Sequence, residues 1–110
     1  MHGIQVTFRN IPHSVGLGDR VRELSEKLDR LHPRVLNSNV VLEAIRIPRR
    51  PPRFAATVRV RVPEGEILAT EIHPEDIRLA LRNAFVTVRR ELSELSRAAE
   101  SAERVAVSLR

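Results

Sequence analysis

Residues 56–62 read Ala56-Thr57-Val58-Arg59-Val60-Arg61-Val62, an alternation of apolar side chains with a threonine and two arginines. Successive side chains of a strand point to opposite faces, so the stretch predicts a strand with an apolar inner face and a basic outer one. A sheet built this way needs covering on one side only. Downstream, Pro63-Glu64-Gly65 predicts a tight turn into a shorter strand over Glu66 to Ile72. Upstream, Pro48-Arg49-Arg50-Pro51-Pro52 stops a β-branched strand over Val40 to Ile47, which follows the turn signal Asn37-Ser38-Asn39.

Further out the period changes. Ile4, Val6 and Phe8 alternate with Gln5, Thr7 and Arg9, the pattern of another half-buried strand, broken at Asn10-Ile11-Pro12. Leu17, Val21, Leu24, Leu28 and Leu31 then recur at steps of four and three behind Ser14, a favoured helix N-cap, and predict an amphipathic helix ending near Pro33. On the far side, His73-Pro74-Glu75-Asp76 has the composition of a helix first turn, and Ile77, Leu81, Ala84, Val88, Leu92 and Leu95 supply the apolar stripe of a long second helix. From Ser96 the apolar stripe gives out. We therefore expect one domain over residues 1–95 and a helical extension or loose tail over 96–110.

The element order is strand, helix, three strands, helix. The economical arrangement is a two-layer α+β sandwich, a four-stranded sheet with both helices on one face. A helix joining the first two strands makes them parallel if they pair directly, and the short connections make the rest antiparallel. The outer sheet face, with Thr7, Arg9, Arg59 and Arg61, is left to solvent or a partner.

Composition narrows the function classes. The chain has 110 residues, 42% of them hydrophobic, which suits one core and no more. No apolar run approaches a membrane span and the N-terminal residues lack a secretory pattern, so a cytoplasmic location is the default. There is no cysteine, which removes disulfides, thiolate chemistry and Cys-based zinc sites. The histidines, His2, His13, His32 and His73, have no ligand spacing, and no metal or other cofactor is expected. The acids Glu64, Glu66, Glu71, Glu75 and Asp76 cluster in sequence, but strand alternation and a helix start account for them. With no Gly-rich phosphate loop and no nucleophile motif, neither catalysis nor a small-molecule substrate is expected.

The formal charge is +5, and Lys27 is the sole lysine, so the basic charge is almost entirely arginine, whose planar fork suits phosphate. Counting 100° per residue, Arg78, Arg82 and Arg89 share one flank of the second helix's apolar stripe, with Glu91 and Glu94 towards the other. On the first helix Arg20, Lys27 and Arg34 repeat at steps of seven on one flank, with Arg30 close by. Two such ridges either face each other across the groove between the helices or point apart, and helical periodicity does not choose. Facing ridges make a channel suited to a phosphate backbone. The plainer reading pairs these arginines with Glu23, Glu91 and their neighbours on the surface. Arg46, Arg49, Arg50, Arg53, Arg59 and Arg61 fall in a stretch with no acid, either a second contact surface or an edge hairpin protected by charge and proline. Phe8, Phe54 and Phe85 are the only aromatic side chains besides histidine, so base stacking is a poor mechanism and recognition by backbone and shape a better one.

Ile4-Gln5-Val6-Thr7-Phe8, the helix Leu17 to Leu31 with Lys27-Leu28-Asp29, and Gly65-Glu66-Ile67-Leu68-Ala69 resemble stretches of the short ribosome hibernation-promoting factors and ribosome-associated inhibitors, the sigma-54 modulation protein family. Asp76-Ile77, Ala80-Leu81 and Arg90-Glu91-Leu92 do so too, in the same order. The resemblance implies a double-stranded-RNA-binding-domain-like fold whose helices contact RNA of the small ribosomal subunit near the decoding site, excluding messenger and transfer RNA. It implies that subunit as the partner, with no bond made or broken; a monomer with no membrane partner is expected. Lys27 and Arg90 match basic positions of the family pattern; Arg20, Arg30, Arg78, Arg82 and Arg89 come from helix geometry. The chain departs from the pattern at Arg78, where an aromatic is usual, at Arg82, where an acid is usual, and at Thr87, often a lysine. It also has one extra residue between Ala69 and Asp76. These departures keep a second expectation open, a module of the same fold acting on another RNA or as a protein regulator.

Overall fold

The computed structural model describes residues 3–108. Its elements are β1 (Gly3–Arg9), α1 (Val15–Leu31), β2 (Asn37–Ile45), β3 (Arg53–Val62), β4 (Gly65–His73) and α2 (Ile77–Ser108). The four strands form one sheet in the order β1-β2-β3-β4, with β1 and β2 parallel and the other pairs antiparallel. This is the predicted α+β sandwich, and the parallel pair is the one demanded by a helical crossover. The alternation of 56–62 is borne out: Ala56, Val58, Val60 and Val62 are buried, while Arg59 and Arg61 face solvent.

The inner face of the sheet meets both helices in one core. Val21 and Leu28 of α1 and Leu81, Ala84, Phe85, Val88 and Leu92 of α2 join Val40, Leu42, Val58 and Val60. β1 is only half-buried; Ile4, Val6 and Phe8 pack against the margin of this cluster. Among the described residues one buried polar atom, Ser25 Oγ on α1, has no hydrogen-bond partner. On the outer face the Thr57 and Thr70 hydroxyls share a 3.0 Å hydrogen bond and Arg59 lies 3.5 Å from Glu66.

Three boundaries differ from the sequence expectation. Asn37, Ser38 and Asn39 open β2 rather than turning, because β2 is a central strand with a partner on each side: Ser38 aligns with Ile4 of β1 and Val60 of β3 and is buried. At its other end β2 stops at Ile45, since Ile47 accepts a hydrogen bond from the Arg50 amide in the turn. The segment His73 to Asp76 is not the first turn of α2 but the turn before it. His73 closes β4, and its Nδ1 accepts from the Glu75 and Asp76 amides, while the Asp76 carboxylate caps α2 by accepting from the Arg78 amide at 2.9 Å. At the other helix, Ser14 caps α1 as expected, its hydroxyl accepting from the Leu17 amide.

α2 continues without a break to Ser108, well past the last core residue, and its residues from Glu100 to Ser108 are exposed. No helix among the described residues is long and apolar enough to cross a membrane.

Candidate nucleic-acid interface

α1 and α2 run side by side in the same direction. Near their starts the Arg78 guanidinium lies against Gly16, so close that a Cβ there would sit 3.3 Å from it. Further along, Leu31 and His32 adjoin Val86, Arg89, Arg90 and Ser93. Between these points the helices part into a groove of about 190 Å³.

The rotation of the two helices, which periodicity left open, is settled by the sheet: burying Val21 and Leu28 on one helix and Leu81 and Val88 on the other turns the basic flanks inward. Arg20 and Lys27 of α1 therefore face Arg82 and Arg89 of α2 across the groove. Its floor is apolar, built from Leu24, Leu28, Leu31, Phe85 and Val86. Arg78 stands at the head of this cleft and Arg90 on its far rim. Arg30 is exposed but is not among the groove's lining residues, because it sits about a sixth of a turn further around α1 than Lys27.

The plainer reading of surface ion pairs holds for part of this set. Arg20 pairs with Glu23 at 3.0 Å, and Arg22, outside the groove, with Asp19 at 2.9 Å. Both pairs are exposed neighbours on one helix, worth only tenths of a kcal/mol. Arg34 does not continue the α1 ridge at all: the helix ends at Leu31, and Arg34 instead forms an ion pair with Glu64 in the β3–β4 turn. Among the described residues, no carboxylate lies within ion-pair reach of Lys27, Arg78, Arg82, Arg89 or Arg90. Like charges gathered without counterions repel one another, so such a groove favours a polyanion that takes the counterions' place.

Two features of the site escaped the sequence reading. Val86 and Leu31 are large apolar residues left about half exposed at the groove margin, a signal visible only once the helices are placed. His32, at the C-cap of α1, is held below the ordinary histidine value, first by burial and then by the nearby Arg89 guanidinium. Both burial and the guanidinium favour the neutral imidazole there. Thr87, by contrast, points away: its hydroxyl donates to Glu71 of β4 at 3.1 Å, tying α2 to the edge strand. The acids clustered in sequence are engaged in the same structural fashion, Glu64 with Arg34, Glu66 with Arg59 and Asp76 as a helix cap.

Residues 4–100 match the model of the family described as sigma 54 modulation protein / S30EA ribosomal protein. The chain belongs to this family. In fold, this family member is similar to the N-terminal domain of Protein Y from Thermus thermophilus, with a TM-score of 0.70 at 21% identity, over 86% of this chain and 99% of that one. It is similar in the same way to a ribosomal subunit interface protein from Coxiella burnetii, with a TM-score of 0.64 at 20% identity, over 86% of this chain and 97% of the other. No curated protein sequence matches it.

Proposed function

We propose that this protein silences translation in the cytoplasm by seating the α1/α2 groove on RNA of the small ribosomal subunit near the decoding site, where it excludes messenger and transfer RNA. One observation carries the reading: Arg20 and Lys27 oppose Arg82 and Arg89 across a groove in which, among the described residues, only Arg20 has a carboxylate partner. Family membership supplies the ribosome, and the groove supplies the chemistry. A phosphate backbone lying between the two ridges meets cations on both sides. Each phosphate neutralised releases condensed counterions, so binding is salt-dependent. Recognition is by backbone and shape, since the one aromatic among the groove's lining residues, Phe85, is buried in the floor and not presented for stacking. Nothing in the mechanism requires catalysis; the protein acts by occupying a place, as a monomer.

Chemical footprinting of small-subunit RNA with and without the protein tests this. Protection confined to the decoding region is expected, and it should be lost when messenger and transfer RNA are bound first. Protection elsewhere, or none, contradicts the proposal. The second reading, an RNA target other than the ribosome, is favoured by Arg78 and Arg82, which make the groove more basic than the family pattern. Cross-linking in stationary-phase cells that captured chiefly non-ribosomal RNA would establish it.

A further inference from the structure

Besides the groove, the described residues carry a second concentration of unpaired cations, at the tip of the β2–β3 hairpin. Arg46, Arg49 and Arg50 lie in the loop between these strands and Arg53 opens β3; all four are exposed and, among the described residues, none is in ion-pair reach of a carboxylate. No acid occurs in the chain between Glu43 and Glu64.

Arginines at a hairpin commonly guard a sheet edge against pairing with another chain. That explanation fails here. β2 and β3 are the two central strands, and the edges are β1 and β4. The loop is also stiff in an unusual way: Pro48, Pro51 and Pro52 fix its backbone, the Arg50 amide donates to Ile47 at 3.1 Å, and Arg49 holds a left-handed φ of 66°. A non-glycine residue in that region is strained, and the bend at Arg49 lies between Pro48 and Arg50. Like charges and strain cost stability, and no ion pair of these arginines with an acid among the described residues offsets them.

The loop's position matters as much as its charge. Arg9 at the end of β1 aligns with Glu43 near the end of β2, and Phe54 at the start of β3 aligns with His73 at the end of β4. The loop therefore sits at the same end of the sheet as the starts of both helices, where Arg20, Arg78 and Arg82 form the head of the groove. The opposite end carries Glu64 in the β3–β4 turn.

We propose that the Arg46–Arg53 hairpin tip is a second phosphate-binding element, which grips RNA backbone beyond the head of the groove so that the protein holds its RNA at two places. This rests on the RNA reading of the groove and extends it to a surface outside the helices.

The test measures the salt dependence of binding to purified small subunits for three variants of the full chain. One changes Arg46, Arg49 and Arg50 to Gln, one changes the same three to Lys, and one changes Arg82 and Arg89 to Gln. Each arginine in contact with phosphate contributes about 0.9 to the slope of log affinity against log salt. The Gln hairpin variant is expected to lose slope by about that amount per contact, with an unchanged melting temperature, and the Lys variant to keep it. If the Gln hairpin variant binds with wild-type slope and affinity while the groove variant weakens, the hairpin proposal is overturned and the groove reading stands. If the Lys variant weakens as much as the Gln variant, the arginines serve the loop's shape and the proposal is again overturned. A wild-type protein that does not bind the subunit overturns both.

Discussion

Replacing Arg82 and Arg89 together by Glu removes the α2 side of the groove's charge and sets two carboxylates opposite Arg20 and Lys27. The fold should not notice. Both arginines are exposed, neither has an ion-pair partner among the described residues, and the buried face of α2 is carried by Leu81, Ala84, Phe85, Val88 and Leu92. A new surface pair, such as one between Arg78 and the carboxylate introduced four residues on, is worth tenths of a kcal/mol, so the thermal midpoint should move by no more than a degree or two. Binding should respond strongly. If each arginine neutralises one phosphate, losing two lowers the log–log salt slope by about 1.8, which at about 0.1 M salt is a loss of about 60-fold in affinity. Reversal adds repulsion between the new carboxylates and the phosphates, so this loss is the smaller expected figure. Co-sedimentation with vacant ribosomes across a salt series, beside a thermal melt, reads both quantities. Unaltered association by a folded double variant would remove the α2 ridge from the interface.

Other perturbations test the packing and the groove separately. Leu81→Ala truncates a fully buried side chain and should cost about 2 to 5 kcal/mol in chemical denaturation; a cost near zero would contradict the core described here. Ser25→Ala should stabilise by about 1 kcal/mol, because it removes a buried hydroxyl without a partner and improves helix propensity; destabilisation would show that the hydroxyl is bonded in solution. For His32, burial and Arg89 depress the folded pKa below 6.5, so as pH falls through that value the unfolded chain protonates first. Its contribution to stability is whole above pH 6.5 and declines below it until the folded-state pKa is passed. His32→Gln should therefore flatten the fall of melting temperature as pH drops below 6.5, and identical profiles for variant and wild type would count against this environment. Lys27→Gln should lower the salt slope of ribosome binding by about 0.9, whereas Arg30→Gln, outside the groove lining, should leave it unchanged. Equal effects would mean that RNA wraps the outer side of α1.

Most of the fold was legible because its residues obey simple periods. Val58, Val60 and Val62 announced a half-buried strand, and the spacing from Leu17 to Leu31 and from Ile77 to Leu95 announced helices with one apolar face. What local pattern could not reveal was tertiary. Asn37 to Asn39 have turn propensity, yet Ser38 sits in a central strand because Ile4 and Val60 flank it. Arg34 keeps the seven-residue step from Lys27, yet the chain has left the helix by then and Glu64 captures it. Thr87 and Glu71 lie 16 residues apart and meet only because α2 covers β4. The orientation of the two basic ridges was open for the same reason: periodicity gives each helix a basic flank, but only shared burial against one sheet turns Arg20 and Lys27 towards Arg82 and Arg89.

The most direct test of translation silencing is co-sedimentation of the purified protein with vacant ribosomes and separated subunits, from low to moderate salt, with in-vitro translation measured alongside. Stoichiometric binding to the small subunit is predicted, weakening as salt rises, with inhibition of translation in proportion to the ribosomes occupied. Absence of binding even at low salt, or undiminished translation by fully occupied ribosomes, would contradict it.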